Sequence, residues 1–84
     1  MDRNDYIRKC QQTSIKTDYA GAWWAVEWND DDLVTYTGES NLPKGKYIPF
    51  DYRFGFKRGE PTHVAILHSL TSSTEYTVRL SEIK

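Results

Sequence analysis

Only one cysteine, Cys10, occurs in the 84 residues, so no disulfide can form within the chain, whereas small exported domains usually rely on several. A reducing, cytoplasmic setting is the expectation. No run of about 18 apolar residues is present, and no apolar run of signal-peptide length follows Met1-Asp2-Arg3-Asn4-Asp5, which argues against membrane insertion and export. Net charge is also scarce, at −1. That speaks against both a generally basic coat for nucleic acid and a strongly acidic mimic of it.

Signatures of catalysis and metal binding are missing too. His63 and His68 are five residues apart, a spacing that sends them to opposite faces of a strand, and Cys10 has no CxxC companion. The Asp30-Asp31-Asp32 run lacks the glycine and closing carboxylate of a calcium loop and reads as a solvated hairpin tip. There is no G-x-S-x-G elbow, no H-E-x-x-H and no phosphate-cradling glycine loop. No catalytic residue, metal ligand or cofactor is assigned, and the chain is read as a non-enzyme.

What is abundant is aromatic: three Trp, six Tyr and three Phe. A domain this short buries only roughly 60–65% of the surface its unfolded chain exposes, so large side chains must supply the core. The N-terminal segment Asp2–Ser14 reads as the one helix. Asp2 suits its cap and Asp5 its first turn, and Tyr6, Ile7, Cys10 and Ser14 share a face.

From Tyr19 onward the period changes to two. Ala22–Trp28 alternates as a first strand, with Trp24, Val26 and Trp28 on one side. Asn29–Asp32 turns, Leu33–Thr37 returns, and Gly38–Lys46 is an exposed loop. The clearest alternation then sets Ile48, Phe50, Tyr52, Phe54 and Phe56 against Tyr47, Pro49, Asp51, Arg53, Gly55 and Lys57. Pro49 places the start of that strand at an edge, and Gly55 suggests a bulge or bend. After a turn at Lys57–Pro61, Thr62–Ser69 puts Val64 and Ile66 inward, and Thr74–Ile83 does the same with Tyr76, Val78 and Leu80.

The expected fold is therefore a single α+β domain spanning 1–84, with the N-terminal helix followed by a five-stranded antiparallel meander sheet. A small SH3-like, partly closed barrel is the alternative. Ala25-Val26-Glu27-Trp28 and the ending Thr77–Ile83 resemble strands of Tudor-type barrels, over a small part of the chain. The expected core is Trp24, Val26, Trp28, Ile48, Phe50, Phe54, Phe56, Val64, Ile66, Tyr76, Val78 and Leu80.

Charge is unevenly placed. Asp18, Glu27, Asp30, Asp31, Asp32 and Glu39 stand without a cation between positions 18 and 42, whereas Lys44, Lys46, Arg53, Lys57 and Arg58 dominate the next stretch. Aromatics that the core does not absorb, next to such charges, have the composition of binding hot spots. The expected binding residues are Trp23, Tyr36, Tyr47, Arg53, Lys57 and Arg58, with Tyr47, Arg53 and Lys57 sharing one strand face. The expected role is non-enzymatic binding to a larger protein or complex, as adaptor, modulator or inhibitor, with no membrane contact. A second possibility comes from Arg53-Phe54-Gly55-Phe56-Lys57. It is similar to the aromatic strand of RNA-recognition and cold-shock domains, although the family pattern has glycine where Arg53 stands. That likeness implies a module for single-stranded nucleic acid.

Overall fold

The computed structural model describes residues 1–38 and 42–84, with the backbone alone for Lys57. Helix α1 spans Arg3–Ala20. The Asp2 side chain accepts a hydrogen bond from the Asn4 amide at 3.1 Å, an N-cap worth about 1 kcal/mol. At the other end Gly21 takes the left-handed conformation (φ 83°) and donates its amide to the Thr17 carbonyl. The helix runs on to Ala20 rather than stopping at Ser14, because no residue that breaks a helix intervenes before Gly21. Its inward stripe is buried Tyr6 and Thr13 with half-buried Cys10 between them, at four- and three-residue spacing.

The expected first strand, Ala22–Trp28, is not one. Trp23–Ala25 forms a single 3-10 turn, in which the Trp28 indole donates to the Trp23 carbonyl at 3.1 Å. Trp24 is 74% exposed, not core. A physical reason lies at the other end of the chain: the side of β1 (Val34–Tyr36) that such a strand would pair with is occupied by residues 82–84. Tyr36 is bridged to Ile83, the Thr37 amide donates to the Glu82 carbonyl, and the Lys84 amide donates to the Thr35 carbonyl.

Asp30–Asp32 is likewise not a solvated hairpin tip but a second 3-10 turn seated on the helix. Asn29 and Asp32 cap each other reciprocally, Lys16 pairs with the Asp32 carboxylate, and the Lys9 ammonium donates to the carbonyls of Asp31 and Leu33. Burial acts to raise the Asp32 pKa. The Lys16 hydrogen bond, the Asn29 amide and the charges of Lys16 and Lys9 outweigh it, and the carboxyl is held below its usual value.

The remaining strands are β2 (Gly45–Lys57), β3 (Glu60–His68) and β4 (Glu75–Arg79), and the sheet runs β1-β2-β3-β4, antiparallel throughout. Among the described residues four strands stand where five were expected. The exposed loop expected over Gly38–Lys46 falls partly on residues 39–41, outside the described residues, and its last two residues belong to β2. The bonds from residues 82–84 back to β1 curl the sheet toward a half-barrel.

The register of β2 against β3 slips between Pro49 and Asp51, so that Phe50 is an extra residue with no partner. Pairing sets Pro49 opposite Leu67 and Tyr52 opposite Ala65. Tyr47, Pro49, Tyr52, Phe54 and Phe56 therefore share one face, and Ile48, Asp51, Arg53 and Gly55 lie on the other. The first face carries the main core, which comprises Val34, Tyr36, Tyr47, Ala65, Leu67, Val78, Leu80 and Ile83 with Tyr6 of the helix. Expected core residues Phe50, Phe54 and Phe56 are exposed, and Val64, Ile66, Val26 and Trp28 are half-buried. In β3 the deeply buried pair is Ala65 and Leu67, one residue out of phase with the expected Val64 and Ile66. Ile48, Val78 and Leu80 are buried and Tyr76 packs against the core, as expected.

An aromatic ribbon and an adjoining cleft

Beyond the body of the sheet the β2–β3 hairpin continues alone. β1 meets only Gly45–Tyr47 of β2, and β4 meets only Val64–His68 of β3. From Phe54 to His63 the hairpin is thus a two-stranded ribbon. Its turn has two central residues, Arg58 at φ 54° and Gly59 at φ 81°. Positive φ at both is what a tight hairpin turn with the right twist requires. Glycine meets that demand without strain, whereas arginine there costs on the order of 1 kcal/mol.

One face of the ribbon is aromatic. Phe54 is 53% and Phe56 72% exposed, and their rings meet edge to face at 5.6 Å. The His63 ring lies 5.1 Å from Phe54 and stacks on Tyr52 at 6.0 Å, and its Nδ1 is hydrogen-bonded to the Tyr52 hydroxyl. These residues continue the core face outward, past the point where helix and flanking strands stop covering it. The opposite face carries Arg53, within 3.6 Å of Asp51 in an exposed ion pair.

Beside the ribbon lies a cleft of about 870 Å³, between the start of α1, the outer edge of β3 and the turn after β4. Arg3, Arg58 and Arg79 line it together with Asp2, Glu60 and His63. The three arginines are exposed. The ion pairs among the described residues are Arg8–Asp5, Lys16–Asp32 and Arg53–Asp51, so none of the three is tied to a carboxylate.

The six expected binding residues scatter. Tyr36 and Tyr47 are core residues, 0% and 8% exposed, and so contribute nothing to a surface. Burial, followed by the neighbouring Tyr76 and Tyr36, raises the Tyr47 pKa. Trp23 is half-buried with its ring 4.6 Å from that of His68, away from the ribbon. Arg53 is on the ribbon, and Arg58 is at its tip. Lys57 ends β2 opposite Glu60, and its side chain is outside the described residues. Tyr47 and Arg53 do not share a face, because the extra residue Phe50 lies between them. Phe54 and Phe56, expected first in the core, are surface groups, and Tyr52 and His63 were not among the expected binding residues. Without the bulge, their alternation with Ile48 is that of a buried strand.

Cys10 has no nucleophile's environment, since burial pushes its thiol up to about 11. Among the described residues no three His, Cys, Asp or Glu side chains cluster as a metal site would require, and no helix is long and apolar enough to cross a membrane. Comparison with known protein families, with curated proteins and with solved structures finds no match to this chain.

Proposed function

We propose that this chain is a non-enzymatic protein-binding domain, an adaptor, modulator or inhibitor of a larger protein, which engages its partner through the aromatic face of the β2–β3 ribbon. The observation that carries this reading is the exposure of Phe54 and Phe56 on a face whose continuation is the core. Burying the remaining surface of two partly covered phenylalanines against a partner is favourable by roughly 1–2 kcal/mol each, and a contiguous apolar patch is the usual mark of a protein contact. Single-stranded nucleic acid is the second reading. It is the weaker because Arg53 lies on the face opposite the phenylalanines and is held by Asp51, so a base stacked on Phe54 does not bring its phosphate to that cation.

The test is affinity purification of tagged protein from its native cells, with and without nuclease, for the wild type and for Phe54→Ala/Phe56→Ala. A partner kept by the wild type after nuclease and lost from the double variant supports the reading. A partner that disappears on nuclease treatment, or that the double variant retains, overturns it.

A further inference from the structure

We propose that the cleft next to the ribbon receives an extended acidic segment of the partner protein, whose carboxylates are met by Arg58 and Arg79 while an adjoining apolar side chain lies on Phe54 and His63. This rests on reading the ribbon as a protein-binding surface, and it assigns the chemistry of the segment bound there.

Three observations on the molecule converge. Arg3, Arg58 and Arg79 border one cleft with no carboxylate paired to any of them. Guanidinium groups with free donors bind carboxylates in a forked, two-bond geometry. Arg58 also occupies a turn position where its backbone is strained and where asparagine or glycine would be relaxed. That strain fixes the start of its side chain at the mouth of the cleft.

The second observation is the open edge of β3. β4 leaves the sheet at Arg79, opposite Val64, so residues 60–63 have, among the described residues, a paired strand only on the β2 side. A two-residue hairpin closes on a hydrogen-bonded pair, Lys57 with Glu60, and the pattern alternates from there. His63 therefore turns its N–H and C=O toward the cleft, and Pro61 turns its C=O alone. Pro61 blunts the edge against pairing with another full strand. The N–H of His63 still offers a donor to a short extended segment, which is the beginning of strand addition.

The third observation is continuity. His63 belongs to both surfaces: it lines the cleft and its ring touches the aromatic face. A segment paired at His63 thus places alternate side chains on the phenylalanines and near the arginines. Asp2 and Glu60 in the same cleft decide against a nucleic acid. Two fixed carboxylates repel an unbroken phosphate chain, but discrete carboxylates of a peptide can be spaced to avoid them.

The experiment pans a random 12-residue peptide library displayed on phage against the folded protein. Affinities of the enriched peptides are then measured by fluorescence anisotropy for the wild type, Arg58→Ala/Arg79→Ala and Phe54→Ala/Phe56→Ala. Enriched peptides should carry acidic residues beside an apolar one, should lose at least about tenfold in affinity on the arginine variant, and should shift the His63 amide resonance. Failure of any peptide to enrich, enrichment without acidic residues, or unchanged affinity on the arginine variant overturns the cleft proposal. Peptides lost only from the phenylalanine variant would do so while sparing the ribbon reading. A mixed-sequence single-stranded oligonucleotide that binds more tightly than any peptide, with affinity falling steeply with salt, would overturn both.

Discussion

The ring of Tyr6 is fully buried in the core, and its hydroxyl lies between two strands at the point where their ladder is broken. It donates to the Ile66 carbonyl at 2.8 Å, opposite the bulge of β2. Pro49 cannot donate and Phe50 is supernumerary, so β2 lacks a regular donor there, and the tyrosine stands in for one. Burial, then the adjacent Cys10, raise the Tyr6 pKa far above its ordinary value, so the hydroxyl stays a neutral donor at physiological pH. Tyr6→Phe keeps the ring and removes the hydrogen bond to the Ile66 carbonyl. Stranding a buried backbone group costs about 1–3 kcal/mol, which for a domain of this size lowers the Tm by about 4–8 °C per kcal/mol. Thermal unfolding followed by circular dichroism checks this, and an unchanged Tm would deny the hydroxyl its role as that donor.

At the scale of elements, the helix is fastened by charge as well as by its thin buried stripe, because Lys9 and Lys16 clamp it to the 3-10 turn of Asp30–Asp32. A carboxyl whose pKa is lowered in the folded state adds stability above its unfolded value, about 3.9, and that stability is lost as pH falls through the folded value. Asp32→Asn should therefore be less stable than the wild type at pH 7, with the gap closing as pH drops below about 4. Paired denaturant titrations at several pH values measure it, and a gap independent of pH would exclude the Lys16–Asp32 clamp. The fold was legible where the signal was local: the Asp2 cap, the turns, and β2, β3 and β4 as strands. It was not legible where a distant segment decided the outcome. Ala22–Trp28 alternates as a strand does, but residues 82–84 take the place it would need. The aspartates read as solvated because their lysines lie on another element. Phe54 and Phe56 read as core because nothing local marks Phe50 as unpaired, and of the candidate site only Arg53 and Arg58 were found in advance with their side chains on it.

Across the whole molecule, 40 Å in its longest dimension, the core and the proposed binding surface occupy different parts of the sheet. The curled body holds the core, and the ribbon from Phe54 to His63 has only its own ladder to hold it. Backbone amides there should exchange with solvent by local opening, much faster than those of Ile48, Ala65 and Leu67, whose exchange requires global unfolding. Hydrogen exchange followed by NMR tests this, and uniform protection across both regions would show that body and ribbon open as one unit. The division hangs on Phe50, the single unpaired residue of β2. Strand side chains are assigned to faces by counting, much as a reading frame assigns codons, and one inserted residue shifts every later assignment. Deleting Phe50 would leave Arg53, Phe54 and Phe56 on their present faces, in plain alternation with Pro49, whereas flattening the bulge with the residue kept would turn Arg53 toward the core and carry Phe54 and Phe56 to the far side. The proposed binding face is therefore set by whether Phe50 stands out of the ladder, and not by the composition of the residues beyond it.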